Sequence, residues 1–163
     1  MFRIPVAELL RHPGEVRRVE VDGPIADVAT SASQVHGDVR ANLQLQSLGG
    51  GSLVAHGTVS AAWTGECRRC LGEAVGTVTA DVREIFEAGS DGEETYPIKG
   101  DQVDVEPLVR DAVLLELPLA PLCREACAGL CPVCGANRND DDCGHEPDLR
   151  DPRWAALDQL KET

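Results

Sequence analysis

The seven cysteines of this chain are bunched, and their spacing constrains the fold more than any other feature. They form Cys67-x-x-Cys70, Cys123-x-x-x-Cys127, Cys131-Pro-Val-Cys134 and Cys143-Gly-His145, the last adding a histidine beside its thiol. Two thiolates separated by two residues can grip one tetrahedral ion from a tight turn, whose backbone amides help to stabilise the charge on sulfur. Eight donors are enough for two closed tetrahedral sets, so two zinc ions are expected. Any fold the chain adopts must bring Cys67 and Cys70 to ligands lying beyond 52 intervening residues.

Two partitions satisfy every ligand. In the first, Cys131, Cys134, Cys143 and His145 close one compact site, leaving Cys67 and Cys70 to pair with Cys123 and Cys127. In the second, Cys123, Cys127, Cys131 and Cys134 share one ion while Cys67, Cys70, Cys143 and His145 share the other. The first is preferred, because closing a short loop costs less chain entropy. Its all-cysteine site would clasp distant segments.

An odd thiol count with no visible export signal argues against a disulfide framework. A redox pair is disfavoured, since the Cys67-x-x-Cys70 pair has five further cysteines with it and no βαβ context around it. His145 favours zinc over an all-thiolate iron centre. Sites filled by four protein ligands offer no open coordination position, and no His-Glu-x-x-His or phosphate-loop pattern is present, so neither an enzyme nor a small-molecule substrate is expected. His12, His36 and His56 lie apart and read as surface or turn residues. The acidic run Asp140-Asp141-Asp142 reads as a solvated loop tip.

The net charge is −13, distributed unevenly. Residues 1–80 carry seven Lys/Arg against eight Asp/Glu, whereas residues 81–122 carry three against eleven. General affinity for nucleic acid is thereby excluded, because such binding rests on cations neutralising phosphates. A local basic face in the N-terminal half stays open, and the acidic middle suits a basic protein partner. No apolar run approaches the ~18 residues of a membrane span, so a cytoplasmic protein without membrane attachment is expected.

Period-two alternation predicts a half-buried strand at residues 39–48; residues 16–21, 53–64 and 74–86 also read as strands, with Gly49-Gly50-Gly51 turning one hairpin. Residues 2–11 read as a short strand and a helical turn with Pro5 at its first position, and Gly23-Pro24 as a turn. Residues 87–102 are rich in Gly, Asp and Glu and read as a solvated loop. Residues 105–117 carry apolar positions at helical spacing, closed by Pro118. A short helix is expected over 148–160, with Trp154, Leu157 and Leu160 on one side. The expected class is α+β: a small antiparallel sheet or partly closed barrel with a packed helix over residues 1–122, followed by a zinc-bound segment over 123–163.

Glu66-Cys67-Arg68-Arg69-Cys70-Leu71 resembles the E-C-x-R-C segment of the bacterial YceD family. The stretch from Leu117 to Cys123, reading Leu-Pro-Leu-Ala-Pro-Leu-Cys, resembles that family's lead-in to its second metal motif. Cys131-Pro132-Val133-Cys134-Gly135-Ala136-Asn137-Arg138-Asn139 with Cys143-Gly144-His145 is similar to the C-terminal motif of its Gram-positive and actinobacterial members, with Arg138 where that pattern carries leucine. Asp151 to Leu157 resembles their closing helix. The resemblance implies a factor in 23S ribosomal RNA accumulation or large-subunit assembly, touching ribosomal RNA or a large-subunit ribosomal protein. Some members lack the C-terminal cysteine set, which implies that Cys67 and Cys70, partnered by Cys123 and Cys127, form the more basic site. Arg68 and Arg69 at the knuckle tip are the candidate partner-binding residues. The alternative is a protein adaptor that binds a basic partner through its acidic surface.

Overall fold

The computed structural model describes residues 2–145, so the helix expected over 148–160 lies outside the described residues. One seven-stranded sheet dominates, in the order β1-β7-β6-β5-β4-β3-β2. Its strands are β1 (Arg3–Pro5), β2 (Val16–Pro24), β3 (Ser33–Gly49), β4 (Ser52–Glu66), β5 (Glu73–Ala88), β6 (Tyr96–Lys99) and β7 (Gln102–Asp104). Two helices accompany it, α1 (Ala7–Arg11) and α2 (Glu106–Glu116). The protein is mainly β, a half-barrel with minor helical packing, so the expectation of an α+β class holds only in part.

The alternation in β3 sets the inner face. Val39, Ala41, Leu43 and Leu45 are buried, and Arg40 and Asn42 between them are exposed. Antiparallel register carries that face into β4 through Ala55, Val59 and Ala61. β5 adds Phe86, and α2 adds Leu108, Val109 and Val113. Phe2, just before β1, and Ile4 of β1 join the same core. The opposite edge strand, β2, comes close as well: the Arg17 Nη1 donates to the Pro5 carbonyl of β1 at 2.9 Å. The sheet therefore curves until its two edges are bridged by a side chain, with no ladder pairing β1 to β2 among the described residues.

Several boundaries differ from the sequence reading. β2 continues through Gly23 and Pro24, which pair with Val39 and Asp38 of β3. Proline is tolerated there because β2 is an edge strand whose outer side needs no donor. Pro5 ends β1 rather than opening α1. Within the stretch read as loop lie β6 and the first residue of β7, with the turn between them at Gly100 (φ +61°) and Asp101. β6 pairs parallel to β5, and Tyr96 stacks on Phe86 with ring centroids 5.2 Å apart. The alternation of Ile98 and Val103 about the turn was the available signal, outweighed by the polar composition around it.

The long β4–β5 hairpin reaches past the core and carries its connection, residues 67–72, to the far end of the sheet. Trp63 of β4 packs against both the main core and a small second cluster of Cys67, Ala74 and Cys127. Gly76, opposite Trp63 in register, leaves room for the indole; a Cβ there would stand 2.8 Å from Trp63 Cζ2. From α2, the chain exits through Leu117 and Pro118. The Ser33 hydroxyl donates to the Pro118 carbonyl at 2.8 Å and steers it toward the same end.

Gly57 sits where β4 crosses close to β3, and a Cβ there would lie 2.0 Å from the Asn42 carbonyl oxygen. Gly57→Ala should force the main chains apart and cost at least ~2 kcal/mol. Urea unfolding followed by far-ultraviolet circular dichroism would read the loss as a lower midpoint.

Candidate metal centres

The structure gathers all eight predicted ligands into two groups, divided as in the first partition. Cys67, Cys70, Cys123 and Cys127 form one group, and Cys131, Cys134, Cys143 and His145 the other. Within each, the ligand atoms all lie within 4.8 Å of one another. His12, His36 and His56 join neither.

Both C-x-x-C turns are built by the same hydrogen bonds. In the first, the Cys67 amide donates to the Gly72 carbonyl at 2.7 Å and the Leu71 amide to the Cys67 carbonyl at 2.9 Å. In the second, Cys131 donates to Ala136 and Gly135 to Cys131, each at 2.8 Å. The residue after the second cysteine is left-handed in both, Leu71 at φ +60° and Gly135 at φ +76°. Glycine adopts this conformation without steric penalty, whereas leucine is strained in it. That strain is held in place by the knuckle's own bonds.

The first group draws on two distant segments. The β4–β5 connection supplies Cys67 and Cys70; the stretch after α2 supplies Cys123 and Cys127. The Arg68 amide donates to the Pro121 carbonyl at 2.9 Å, and the Arg69 Nη1 donates to the carbonyls of Glu125 and Cys127 at 3.1 and 3.0 Å. Gly129 must approach the Arg69 carbonyl so closely that a Cβ would stand 3.0 Å from it. The two candidate partner-binding arginines therefore occupy different settings. Both residues are exposed, but the Arg69 side chain ties the two halves of the group together through its hydrogen bonds.

The sulfur geometry suits a tetrahedral ion. Cys67 Sγ to Cys127 Sγ is 3.8 Å and Cys70 Sγ to Cys123 Sγ is 3.7 Å. Four sulfurs at about 2.3 Å from a central zinc would stand about 3.8 Å apart, whereas a disulfide needs about 2.05 Å. All seven cysteines are free.

Electrostatics divide the thiols. Cys67 is drawn down to about 6, first by the backbone amide of Cys123 and then, against burial, by those of Cys70 and Arg69. Cys127 is lowered first by the Asn139 side-chain amide and further by the Gly129 amide. Cys123 is pushed up to about 12 by desolvation among its neighbours and by contact with Cys127, Cys70 and Cys67. Cys70 is raised as well: the Gly72 amide pulls it down, but burial and the contacts with Cys67 and Cys127 more than offset this. In the second group the amides of Cys134 and Val133 bring Cys131 to about 6. Cys143 is raised, since contact with Cys131 and burial outweigh the His145 amide. Sulfurs this close repel as thiolates, and a bound cation removes that repulsion. The donor sets thus fit a metal ion, held by four protein atoms in each group. Asn139, which sequence reasoning quoted only as part of a motif, emerges as a contact of Cys127.

A family model described as "Large ribosomal RNA subunit accumulation protein YceD" matches residues 55–161, and the chain belongs to that family. An uncharacterized protein of Mycobacterium tuberculosis (strain H37Rv) is 37% identical over 126 residues, covering 73% of this chain and 60% of that protein. One from Mycobacterium leprae is 33% identical over 129 residues, covering 75% and 58%. The "Large ribosomal RNA subunit accumulation protein YCED homolog 1, chloroplastic" of Arabidopsis thaliana is 36% identical over 69 residues, 41% of this chain and 21% of that protein. The chain thus spans about 60% of the length of the mycobacterial relatives. No solved structure matches. Among the described residues, no helix is long and apolar enough to cross a membrane.

Metal uptake requires the raised thiols to give up their protons. Binding of one divalent cation in the first group should release protons from Cys70 and Cys123, and binding in the second should release protons that include the one on Cys143. Affinity should therefore strengthen as pH rises from about 6, where Cys67 and Cys131 titrate, toward the raised values of the other thiols. Calorimetric titration in two buffers of different ionisation enthalpy counts these protons; buffer-independent heats would contradict the assignment.

Proposed function

We propose that the chain is a zinc-stabilised, non-enzymatic factor in the accumulation of 23S ribosomal RNA and the assembly of the large ribosomal subunit, acting in the cytoplasm. Membership in a family described by that role carries the reading. Two zinc ions, one on Cys67, Cys70, Cys123 and Cys127 and one on Cys131, Cys134, Cys143 and His145, are the cofactors it implies. Their task is structural, since each would have four protein ligands and no open position for substrate or water. The all-cysteine ion fastens the β4–β5 hairpin to the segment following α2.

The partner is ribosomal RNA or a large-subunit ribosomal protein. With an overall charge of −13, contact with RNA must be confined to a patch where cations prevail. Arg68 stands exposed at the turn of the first knuckle, its backbone fixed by the bond to Pro121, and supplies such a contact. Arg69 contributes by holding the knuckle in shape. A second reading, an adaptor for a basic protein, is favoured by the exposed Asp91, Glu93 and Glu94 in the loop before β6.

Protein purified without added zinc should contain two zinc ions per chain by atomic emission, and no hydrolytic activity should depend on them. Arg68→Ala should weaken co-sedimentation with precursor large subunits by about fivefold or more, with zinc content and melting temperature unchanged; one lost phosphate contact is of this order. Glu93→Lys with Glu94→Lys should leave co-sedimentation intact if RNA is the partner. Reduced co-sedimentation of the Glu93/Glu94 variant, together with a normal Arg68→Ala, would select the adaptor reading.

A further inference from the structure

Asn139 stands between Cys134 and Cys143, inside the loop that the second group closes, yet its side chain serves the first. Its Nδ2 donates to Cys127 Sγ at 3.3 Å. Its Oδ1 accepts from Arg124 Nη2 at 2.6 Å and from the Ala128 amide at 2.9 Å. Those two partners can only donate, so the amide orientation is fixed and the N–H must face the sulfur.

Asn137 secures the same side chain from behind. The Asp140 carboxylate accepts from Asn137 Nδ2 at 2.7 Å, which turns the Asn137 Oδ1 toward Asn139. That oxygen accepts from the Asn139 Nδ2 at 2.7 Å and from the Asn139 amide at 3.1 Å. Asn137 is in turn set by the second knuckle. It pairs with Leu130 in an isolated bridge, and the Arg138 amide donates to the Gly129 carbonyl at 2.9 Å. The knuckle between these paired strands is the one whose ends are Cys131 and Cys134. On the other side, Asp140 to Asp142 lead directly to Cys143.

We propose that Asn139 is a positioning residue through which the second metal centre governs the first: filling the second centre holds the Asn139 amide on Cys127, and the first centre then binds its ion more tightly. The physical reason is preorganisation. An outer donor that orients a ligand sulfur and shares its charge strengthens metal binding, and losing one typically costs 10–100-fold in affinity. Without an ion on Cys131, Cys134, Cys143 and His145, the loop carrying Asn139 is closed at neither end by metal, and the donor loses its fixed place. The coupling is reciprocal, as any linkage between binding sites must be.

The inference rests on the reading of both groups as zinc sites, and the test separates the two. Zinc is withdrawn from the full chain by a chromogenic chelator. The parent is compared with Cys131→Ser/Cys134→Ser, with Asn139→Asp, and with the combination. Asn139→Asp keeps the oxygen that Arg124 and Ala128 require but cannot donate to Cys127. We expect the first centre to hold zinc about 10–100-fold more weakly in the Cys131/Cys134 variant and at least about tenfold more weakly in Asn139→Asp. Combining them should add little. With cobalt in place of zinc, the sulfur-to-cobalt charge-transfer band of the saturated first centre should shift in Asn139→Asp, which a purely structural role for Asn139 would not produce. Parental affinity and an unshifted band in Asn139→Asp, or a first centre indifferent to loss of the second, would overturn the coupling while leaving two zinc sites in place. A parent chain that takes up no metal would overturn the metal reading and the coupling with it.

Discussion

The crowding of sulfur at one end of the sheet is the constraint on which the rest of this architecture depends. Four donor atoms within 4.8 Å of one another cannot all carry charge unless something positive lies among them. The protein's own donors relieve part of the problem. Amides lower Cys67 and Cys131, and the Asn139 side chain lowers Cys127, while Cys123, Cys70 and Cys143 are held toward the protonated form. The remaining imbalance is one that a divalent cation would correct.

The sheet and the sulfur groups divide the work of holding the molecule together. The half-barrel has a continuous apolar core running from Phe2 through β3 and β4 to α2, which needs no metal to exclude water. The segment after Leu117 has little of its own to bury. Its described residues contribute Pro121, Cys127, Gly129 and Cys131 to the buried set, with Leu122 partly buried against the small cluster of Cys67, Ala74 and Cys127. Such a segment must be fastened by something other than hydrophobic burial. Backbone bonds to the knuckle, the Arg69 clamp and the ligand groups supply that fastening. Trp63 spans the two regimes, with one part of its surface on the barrel core and another against Cys67 and Cys127.

Neither knuckle is an isolated module. Cys127 of the first group and Cys131 of the second are separated by three residues, and Leu130 donates its amide to the Arg69 carbonyl at 3.0 Å. A change in one knuckle is therefore transmitted through backbone as well as through Asn139. This is a physical basis for a single rigid end of the molecule, on which Arg68 is one of several exposed cations.

Much of this was legible in the sequence. The alternation of Val39, Ala41, Leu43 and Leu45 announces a half-buried strand, because side chains on a strand have period two. The cysteine spacings announce two groups of four candidate ligands, because a C-x-x-C turn can present two sulfurs to one point. Short loop closure favoured the partition that the structure adopts. Only the tertiary structure decided the rest. β6 and β7 are short, and their pairing energy comes from neighbours 10 or more residues away, Phe86 for Tyr96 and Ile4 for Val103; local polar composition hides such pairings. Arg68 and Arg69 are adjacent and chemically identical, so no pattern could tell that one faces outward while the other reaches the carbonyls of Glu125 and Cys127. The role of Asn139 depends on which sulfur lies opposite its amide, and a chain alone does not specify that until it has folded.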